Sequence, residues 1–334
     1  MIWLTFDVGT TNLRCYLVQD QKVLAQAKRN IGVRITALTG NTDALQTGMK
    51  EALQECLKIT GHSMKTIQGV VASGMITSNL GLYEIPHLEA PVGITQLAAR
   101  CIPYIFEAIC PIPIWFIPGI RNPGNYKDGT VGLEAIDFMR GEETESLGAL
   151  AMTGISGPVL FISPGSHTKY VWIDGQNRIS HSLTTLGGEL LWAISKDTIL
   201  SSSLSENLVE SVQEEFLYKG MDSCTQYGLT RTCFMVRALH LFTQADANAR
   251  ANFLYGAILQ EEWQAWQSIG KGFTGQILIG GRKILRELFY SALLRKGIKR
   301  DRIDILKEEQ AEACTAIGAL LIMGKRKINM AEKW

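Results

Sequence analysis

The sequence has no surplus of charge of either sign: 33 lysines and arginines stand against 32 aspartates and glutamates in 334 residues. Without a net basic field there is nothing to hold a nucleic-acid backbone, and no helix-turn-helix segment is expected ahead of Ile2, which argues against a DNA-binding regulator. A ligand must then be recognised locally. No C-x-x-C pair occurs among the seven cysteines, at positions 15, 56, 101, 110, 224, 233 and 314. Their odd number also speaks against a disulfide framework or a zinc site, so they read as reduced core filler. No run of about 18 apolar residues is present, and no charged leader region precedes the first strand. The expectation is a soluble, cytoplasmic chain with no membrane and no nucleic-acid partner. The length suits two domains of about 150 residues each, and the division is placed between residues 150 and 151. Whether copies associate into a homo-oligomer is left open.

What is present is a repeated glycine hairpin. Residues 2–6 read as a buried strand, Asp7 to Asn12 as a turn, and 13–18 as a returning strand. A shift of 156 positions brings Gly9 onto Gly165, Thr10 onto Ser166, Asn12 onto Thr168, Leu17 onto Ile173 and Val23 onto Ile179 without a gap. Each copy has an apolar strand, a glycine turn with hydroxyl side chains, an alternating strand, a polar hairpin and a third strand. Such a turn points backbone N–H groups and short hydroxyls at an anion without bulk. One copy alone is equally an ordinary β-turn. Two at equivalent places suggest phosphate-binding hairpins that face each other.

Between the copies, 31–40 reads as irregular, and Asn41 or Thr42 can cap a helix in which Leu45, Met49, Ala52, Leu53, Cys56 and Leu57 recur at helical spacing. Residues 68–72 read as a buried strand ending in Ser73, Gly74 and Met75, where side chains can enter a crevice. Tyr83, Glu84, His87 and Glu89 lie in a loop or hairpin over 77–93, 111–118 reads as a strand with proline ends, and 119–132 as loop. The segment DFMRGEET (137–144) gathers Asp137, Arg140, Glu142 and Glu143 with Phe, Met and Gly between them, which does not make the even polar face of a solvated helix and singles the segment out for chemistry. A helix N-terminal turn with surface ion pairs is the plain alternative. A short helix is expected over 147–152.

In the second half, His167 is either a structural group or a donor to a phosphate, and only one of Thr168 and Lys169 faces the nucleotide if they alternate along a strand. Residues 184–189 open a helix at Leu190 beside Gly187 and Gly188, which makes them a candidate wall of a nucleotide site. Helices are expected over 207–217, 231–243 and 247–269, then a strand at 276–279 whose Gly280 and Gly281 turn into a helix over 282–295. The last helix, 312–323, carries small residues that permit close packing, and Lys325, Arg326 and Lys327 read as a solvated terminus.

The paired hairpins resemble the actin-like ATPase architecture of sugar kinases, hexokinases and heat-shock ATPases: α/β, with two duplicated ribonuclease H-like domains, mixed sheets flanked by helices, and an interdomain cleft. More narrowly, DVGTTNLR (7–14), ASGM (72–75), GLYEIP (81–86), DFMRGEET (137–144), PGSHTKY (164–170), TTLGGEL (184–190) and ILIGG (277–281) resemble the 2-dehydro-3-deoxygalactonokinase family over nearly the whole chain. That family usually has D-W-G-T-T-N-L-R, P-G-T-H-S-K-W and T-G-E-L, so Val8, Ser166, Thr168, Tyr170 and Gly187 are departures. The resemblance implies an ATP- and Mg²⁺-dependent kinase that phosphorylates 2-dehydro-3-deoxy-D-galactonate on its 6-hydroxyl, its domains closing over the acceptor. It implies ATP phosphates at Gly9, Thr10, Thr11, Asn12, Gly165, Ser166, His167, Thr168 and Lys169, adenosine at Gly187, Gly188, Gly280 and Gly281, and Mg²⁺ held through water by Asp7. The sugar acid then falls to Arg14, Ser73, Gly74, Met75, Tyr83, Glu84, Arg140 and Glu142, with Asp137 as the base. Another sugar or sugar-acid kinase, or an actin-like nucleotide switch, remains as the alternative.

Overall fold

In a computed structural model, which describes residues 1–124, 132–270 and 272–326, the chain begins as an antiparallel meander of β1 (Ile2–Val8), β2 (Leu13–Gln19) and β3 (Lys22–Arg29). After the short α1 (Arg34–Thr39) comes α2 (Asp43–Thr60), whose Leu45, Met49, Ala52, Leu53 and Cys56 pack on the sheet in one apolar cluster with Leu4, Phe6 and Val8. The chain continues through β4 (Gly69–Gly74), β5 (Leu88–Glu89), α3 (Ile94–Arg100), β6 (Ile102–Tyr104), β7 (Ile114–Phe116), β8 (Ile120–Arg121), β9 (Phe138–Met139) and α4 (Glu142–Thr153). The main sheet has the order β3-β2-β1-β4-β7-β6, and β5-β8-β9 form a small second one. Leu4, Thr5 and Phe6 on the central strand β1 are all buried, so the stretch shows no alternation of buried and exposed positions.

The second half holds β10 (Val159–Ser163), β11 (Thr168–Ile173), β12 (Ile179–Thr185), α5 (Gly187–Asp197), α6 (Glu214–Tyr227), α7 (Leu229–Phe242), α8 (Ala247–Gly270), β13 (Gln276–Ile279), α9 (Lys283–Arg295), β14 (Ile303–Ile305) and α10 (Glu308–Lys325). Its sheet order is β12-β11-β10-β13-β14. That is the order β3-β2-β1-β4-β7 written again, so the repeat read from sequence is also a repeat of topology. The chain forms two compact units: Met1–Gly157 with Trp172–Ser182 and Glu312–Trp334, and Pro158–Val171 with Leu183–Ala311. Among the described residues, no helix is long and apolar enough to cross a membrane.

Within the first unit α4 and α10 cross at glycine. A Cβ on Gly148 would lie 1.8 Å from the Cys314 carbonyl oxygen, and one on Gly318 would lie 1.9 Å from that of Thr144. Beyond α10, Arg326 donates to the carbonyls of Ala98 and Cys101 at the end of α3 and stands 4.2 Å over the Trp115 ring. Arg326 is thus a helix cap and not a solvated terminus; Lys327 lies outside the described residues, as do 125–131 of the expected loop.

Several boundaries differ from the sequence reading. The first strand runs two residues further, because Asp7 and Val8 pair with Arg14 and Leu13, which leaves only 9–12 as the turn. Within the expected irregular segment 31–40, α1 forms. Helix α4 starts at Glu142 and not at 147, since Glu142, Glu143 and Glu145 in its first turn suit the helix dipole. Helix α6 starts at Glu214 and not at 207: Leu208 has φ 50, and the Asn248 and Asn252 side chains accept from the backbone N–H groups of Glu210 and Gln213. Helix α5 opens at Gly187, three residues before Leu190.

The glycine crossing predicts that Gly148→Ala, ordinarily favourable in a helix, destabilises the protein by about 1–3 kcal/mol in urea unfolding, because the new methyl meets backbone that cannot rotate away. Gly154→Ala, at the αL end of the same helix but with no atom within 4 Å of the new Cβ, is the comparison that isolates backbone strain from overpacking.

Candidate active site

In the first unit the turn after β1 is braced from behind. Gly9 N–H donates to Asn12 O at 2.8 Å, closing the turn, while Val33 and Arg34 N–H groups donate to the Gly9 and Thr10 carbonyls at 3.1 and 2.9 Å. Thr10, Thr11 and Asn12 are exposed, and a Cβ on Gly9 would meet nothing nearer than 3.5 Å, so the outer side of the turn is open. Asp7 sits at the foot of this turn, and Arg14 donates to its Oδ2 at 2.9 Å across the antiparallel pair. On the other edge of β1, Asp7 and Val8 stand opposite Ser73 and Gly74 in the parallel β4. Gly74 has φ +91, and a Cβ there would lie 2.5 Å from Val8 O.

Gly141, at φ +114, would place its own Cβ 3.4 Å from the Gly74 Cα. The start of α4 is therefore set against ASGM, and Thr144 Oγ1 donates to Ser73 Oγ at 3.4 Å. Arg140, just before, is half-buried and anchored: Nη1 donates to Thr77 Oγ1 and Nη2 to Ile85 O, both at 2.8 Å. Glu143 is fully buried, and the Gly141 N–H donates to its two carboxyl oxygens at 2.9 and 2.7 Å. Burial pushes the Glu143 carboxyl up to about 8, and Glu142 acts in the same direction. Asp137, nearly buried, lies on the far side of β9, where Ser182 Oγ donates to its Oδ1 at 3.0 Å and Asn122 ties the same segment to Ser182. The structure thus brings Asp7, Arg14, Ser73, Gly74 and the 141–144 turn together. Asp137 has a different set of neighbours. Tyr83 packs its ring on Phe116 and Tyr104, and Glu84 is exposed. Gly141 and Thr144 were not singled out from sequence, although both stand inside DFMRGEET.

In the second unit three glycine turns meet around Gly165. A Cβ on Gly188 would lie 2.0 Å from Gly165 O, and one on Gly281 would lie 2.6 Å from Pro164 O. The Gly280 N–H donates to Ile162 O and the Glu189 N–H to Ser166 O, each at 2.8 Å. Ser166 and His167 are exposed, and His167 Nε2 lies 3.1 Å from Glu189 Oε2. Thr168 and Lys169 are both buried, and the Lys169 ammonium donates to the Thr184 hydroxyl. The open part of this turn is therefore Gly165, Ser166 and His167, beside the first N–H groups of α5. Such amides favour an anion.

Two units with the same five-strand order, each with a glycine hairpin after its first strand, define an actin-like ATPase fold of the kind found in sugar kinases. The crystal structure of a Sinorhizobium meliloti protein named as a 2-dehydro-3-deoxygalactonokinase has the same fold, with a TM-score of 0.72 at 23% identity over 96% of this chain and 99% of that one. An activator of 2-hydroxyisocaproyl-CoA dehydratase from Clostridium difficile, solved with bound ADPNP, aligns over 98% of this chain and 96% of that one with a TM-score of 0.52 at 14% identity. The chain belongs to the 2-keto-3-deoxy-galactonokinase family, whose model matches residues 7–319. It is 27% identical over 266 residues to the 2-dehydro-3-deoxygalactonokinase of Escherichia coli K12, an alignment that covers 78% of each chain. The protein is accordingly a kinase.

The raised Glu143 pKa has a consequence for stability. Its folded value, about 8, exceeds the ordinary 4.5, so the native state holds the proton more tightly than the unfolded chain. The resulting stabilisation is complete below about 4.5 and is lost as pH rises through about 8. Glu143→Gln, which cannot ionise, should flatten the fall in unfolding free energy between about pH 5 and pH 8 in urea titrations at several pH values. Parallel profiles for the two proteins would show that Glu143 is not the titrating group.

Proposed function

We propose that the protein transfers the γ-phosphoryl group of ATP to the 6-hydroxyl of 2-dehydro-3-deoxy-D-galactonate, giving the 6-phosphate and ADP in galactonate catabolism. The observation that carries this reading is the coincidence of the family match with two open glycine turns whose amides and hydroxyls are free of bulk. The phosphates are assigned to Gly9, Thr10, Thr11 and Asn12 in one turn and to Gly165, Ser166 and His167 in the other. Thr168 and Lys169 then act through the strand that supports the second turn, and the glycines at 187, 188, 280 and 281 take the adenosine. The labour divides accordingly between residues 1–150, with the sugar acid, and 151–334, with the nucleoside. Work in the cytoplasm fits this metabolic role.

Among the described residues no cluster of three or more His, Cys, Asp or Glu side chains is arranged to hold a metal by itself. A lone carboxylate suits Mg²⁺, which keeps several of its waters and takes the rest of its ligands from phosphate. Asp7 is the residue that would hold it, and the ion would neutralise charge on the β- and γ-phosphates. Arg14 and Arg140 are the candidates for the substrate carboxylate. Bonds to Thr77 and Ile85 fix the Arg140 guanidinium in place. Ser73, Gly74, Met75, Tyr83, Glu84 and Glu142 complete the proposed acceptor site.

The test of class and substrate together is an ATP-consumption assay with a panel of sugars and sugar acids. 2-Dehydro-3-deoxygalactonate should give the highest kcat/KM, with little ATP hydrolysis when no acceptor is present. A higher value for an N-acetylhexosamine or for gluconate would move the protein to another kinase specificity, and slow hydrolysis unaffected by any acceptor would make it a nucleotide switch.

The base is assigned to Asp137, which would orient the acceptor hydroxyl and take its proton. One observation favours a second assignment: Glu143 accepts from Gly141, which packs on Gly74, and burial raises its pKa to about 8, within the range of a working base at neutral pH. Asp137→Asn should lower kcat by about 10²–10⁴ with little change in the binding of ATP or keto acid. Near-normal turnover in Asp137→Asn beside a dead Glu143→Gln would transfer the role to Glu143.

A further inference from the structure

Glu262, on α8, is 3% exposed and lies in the buried stripe formed by Tyr255, Ile258 and Trp266. Tyr170 Oη donates to its Oε2 at 2.9 Å, Thr185 Oγ1 donates to its Oε1 at 2.6 Å, and the Thr168 hydroxyl also donates to it. A Cβ on Gly187 would lie 2.0 Å from the same Oε1. The four residues come from two places only. Thr168 and Tyr170 are on β11, directly after the open Gly165 turn, while Thr185 and Gly187 form the passage from β12 into α5. Three hydroxyl donors offset the cost of burying the carboxylate, and together they tie β11 to the start of α5.

The contacts beyond Glu262 lead to the turn itself. Gly188 abuts Gly165 O, and the Glu189 N–H donates to Ser166 O. The carboxylate therefore sets the spacing between the turn and the first amides of α5 without being exposed to a ligand. We propose that Glu262 is a positioning residue for the nucleotide, holding the Gly165 turn and the start of α5 in the arrangement that accepts phosphate. This rests on the reading of that turn as a phosphate site.

The test compares Glu262→Ala, Glu262→Gln and Thr185→Val with the wild type in steady-state kinetics, in titration with a non-hydrolysable ATP analogue, and in thermal unfolding. Glu262→Ala should weaken analogue binding and raise the KM for ATP at least tenfold, while the KM for the keto acid stays within twofold. Glu262→Gln keeps the volume and one acceptor oxygen, so it should recover part of the loss, and Thr185→Val should show a smaller defect of the same kind. A purely structural role predicts instead that both KM values and kcat deteriorate together with Tm, and that outcome overturns the proposal, as does unchanged analogue affinity in folded Glu262→Ala. Should that variant not fold, the same split is read from Glu262→Gln and Thr185→Val, and normal ATP affinity in both overturns it. Gly165→Val is run in parallel. If it binds the analogue as the wild type does, the phosphate-site reading fails and the role of Glu262 with it; if it loses binding while Glu262→Ala does not, only the role of Glu262 falls.

Discussion

The arrangement of both turns depends on main chain resting against main chain. Gly74 lies on the Val8 carbonyl, Gly188 on the Gly165 carbonyl and Gly281 on that of Pro164, each too close for a larger side chain to take the glycine's place. A contact of this kind has no rotamer to relax through. Its effect is to fix the direction of the amides and hydroxyls at the strand ends before any ligand arrives, which is what electrostatic stabilisation of a transferring phosphoryl group requires. Helices elsewhere in each unit are set in the same way: α4 against α10 through Gly148 and Gly318, and α6 against α8 through Gly220 and Gly256, where an added Cβ on either of the last two would lie 2.0 Å from a carbonyl oxygen of the facing helix.

Close backbone contact leaves little room for side chains to steer the turns, and each unit instead uses one buried carboxylate. Glu143 accepts from the Gly141 N–H at the start of α4, and Glu262 accepts hydroxyls from β11, which follows the Gly165 turn, and from the end of β12. Burial raises both pKa values. A buried carboxyl is costly to ionise and costly to leave without donors, so its hydrogen bonds specify one arrangement more strongly than an apolar contact would.

The hairpins were legible because β1 and β10 lie inside their sheets and are mostly apolar, while glycine and hydroxyl residues follow them at the same offset. The strand end was not, because Asp7 and Val8 look like turn residues and only their pairing with Arg14 and Leu13 makes them strand. The start of α4 was read five residues late for a related reason: the acidic residues at 142–145 lie in the first turn of the helix, where Glu143 is buried against a glycine amide and not on a solvated face. Strands β6 and β14, at three residues each, are too short to carry a pattern. Glu262 did leave a signal. It stands four residues after Ile258 and four before Trp266, a charge at the centre of an apolar stripe, and a stripe of aromatics draws attention away from such a residue.

Duplication explains why the strand order is the same in both sheets, but not how each turn is held. The first is braced by a loop: Gly32 fits against the Gly9 and Thr10 carbonyls, where a Cβ would lie 2.4 Å from Gly9 O, and the next two amides complete the bonding. The second is braced by the start of α5, an eleven-residue helix whose dipole adds positive potential beside the open amides. At the foot of the first turn stand Asp7 and Arg14, a carboxylate and a guanidinium 2.9 Å apart. At the foot of the second, polar atoms are directed inward to Glu262 and Thr184. One topology therefore yields one turn with an ion pair at its foot and another whose supporting side chains bond inward. The chemistry diverged in the brace and at the foot of the turn, where side chains have room to differ, while the glycine contacts that fix the turn itself were kept in both units.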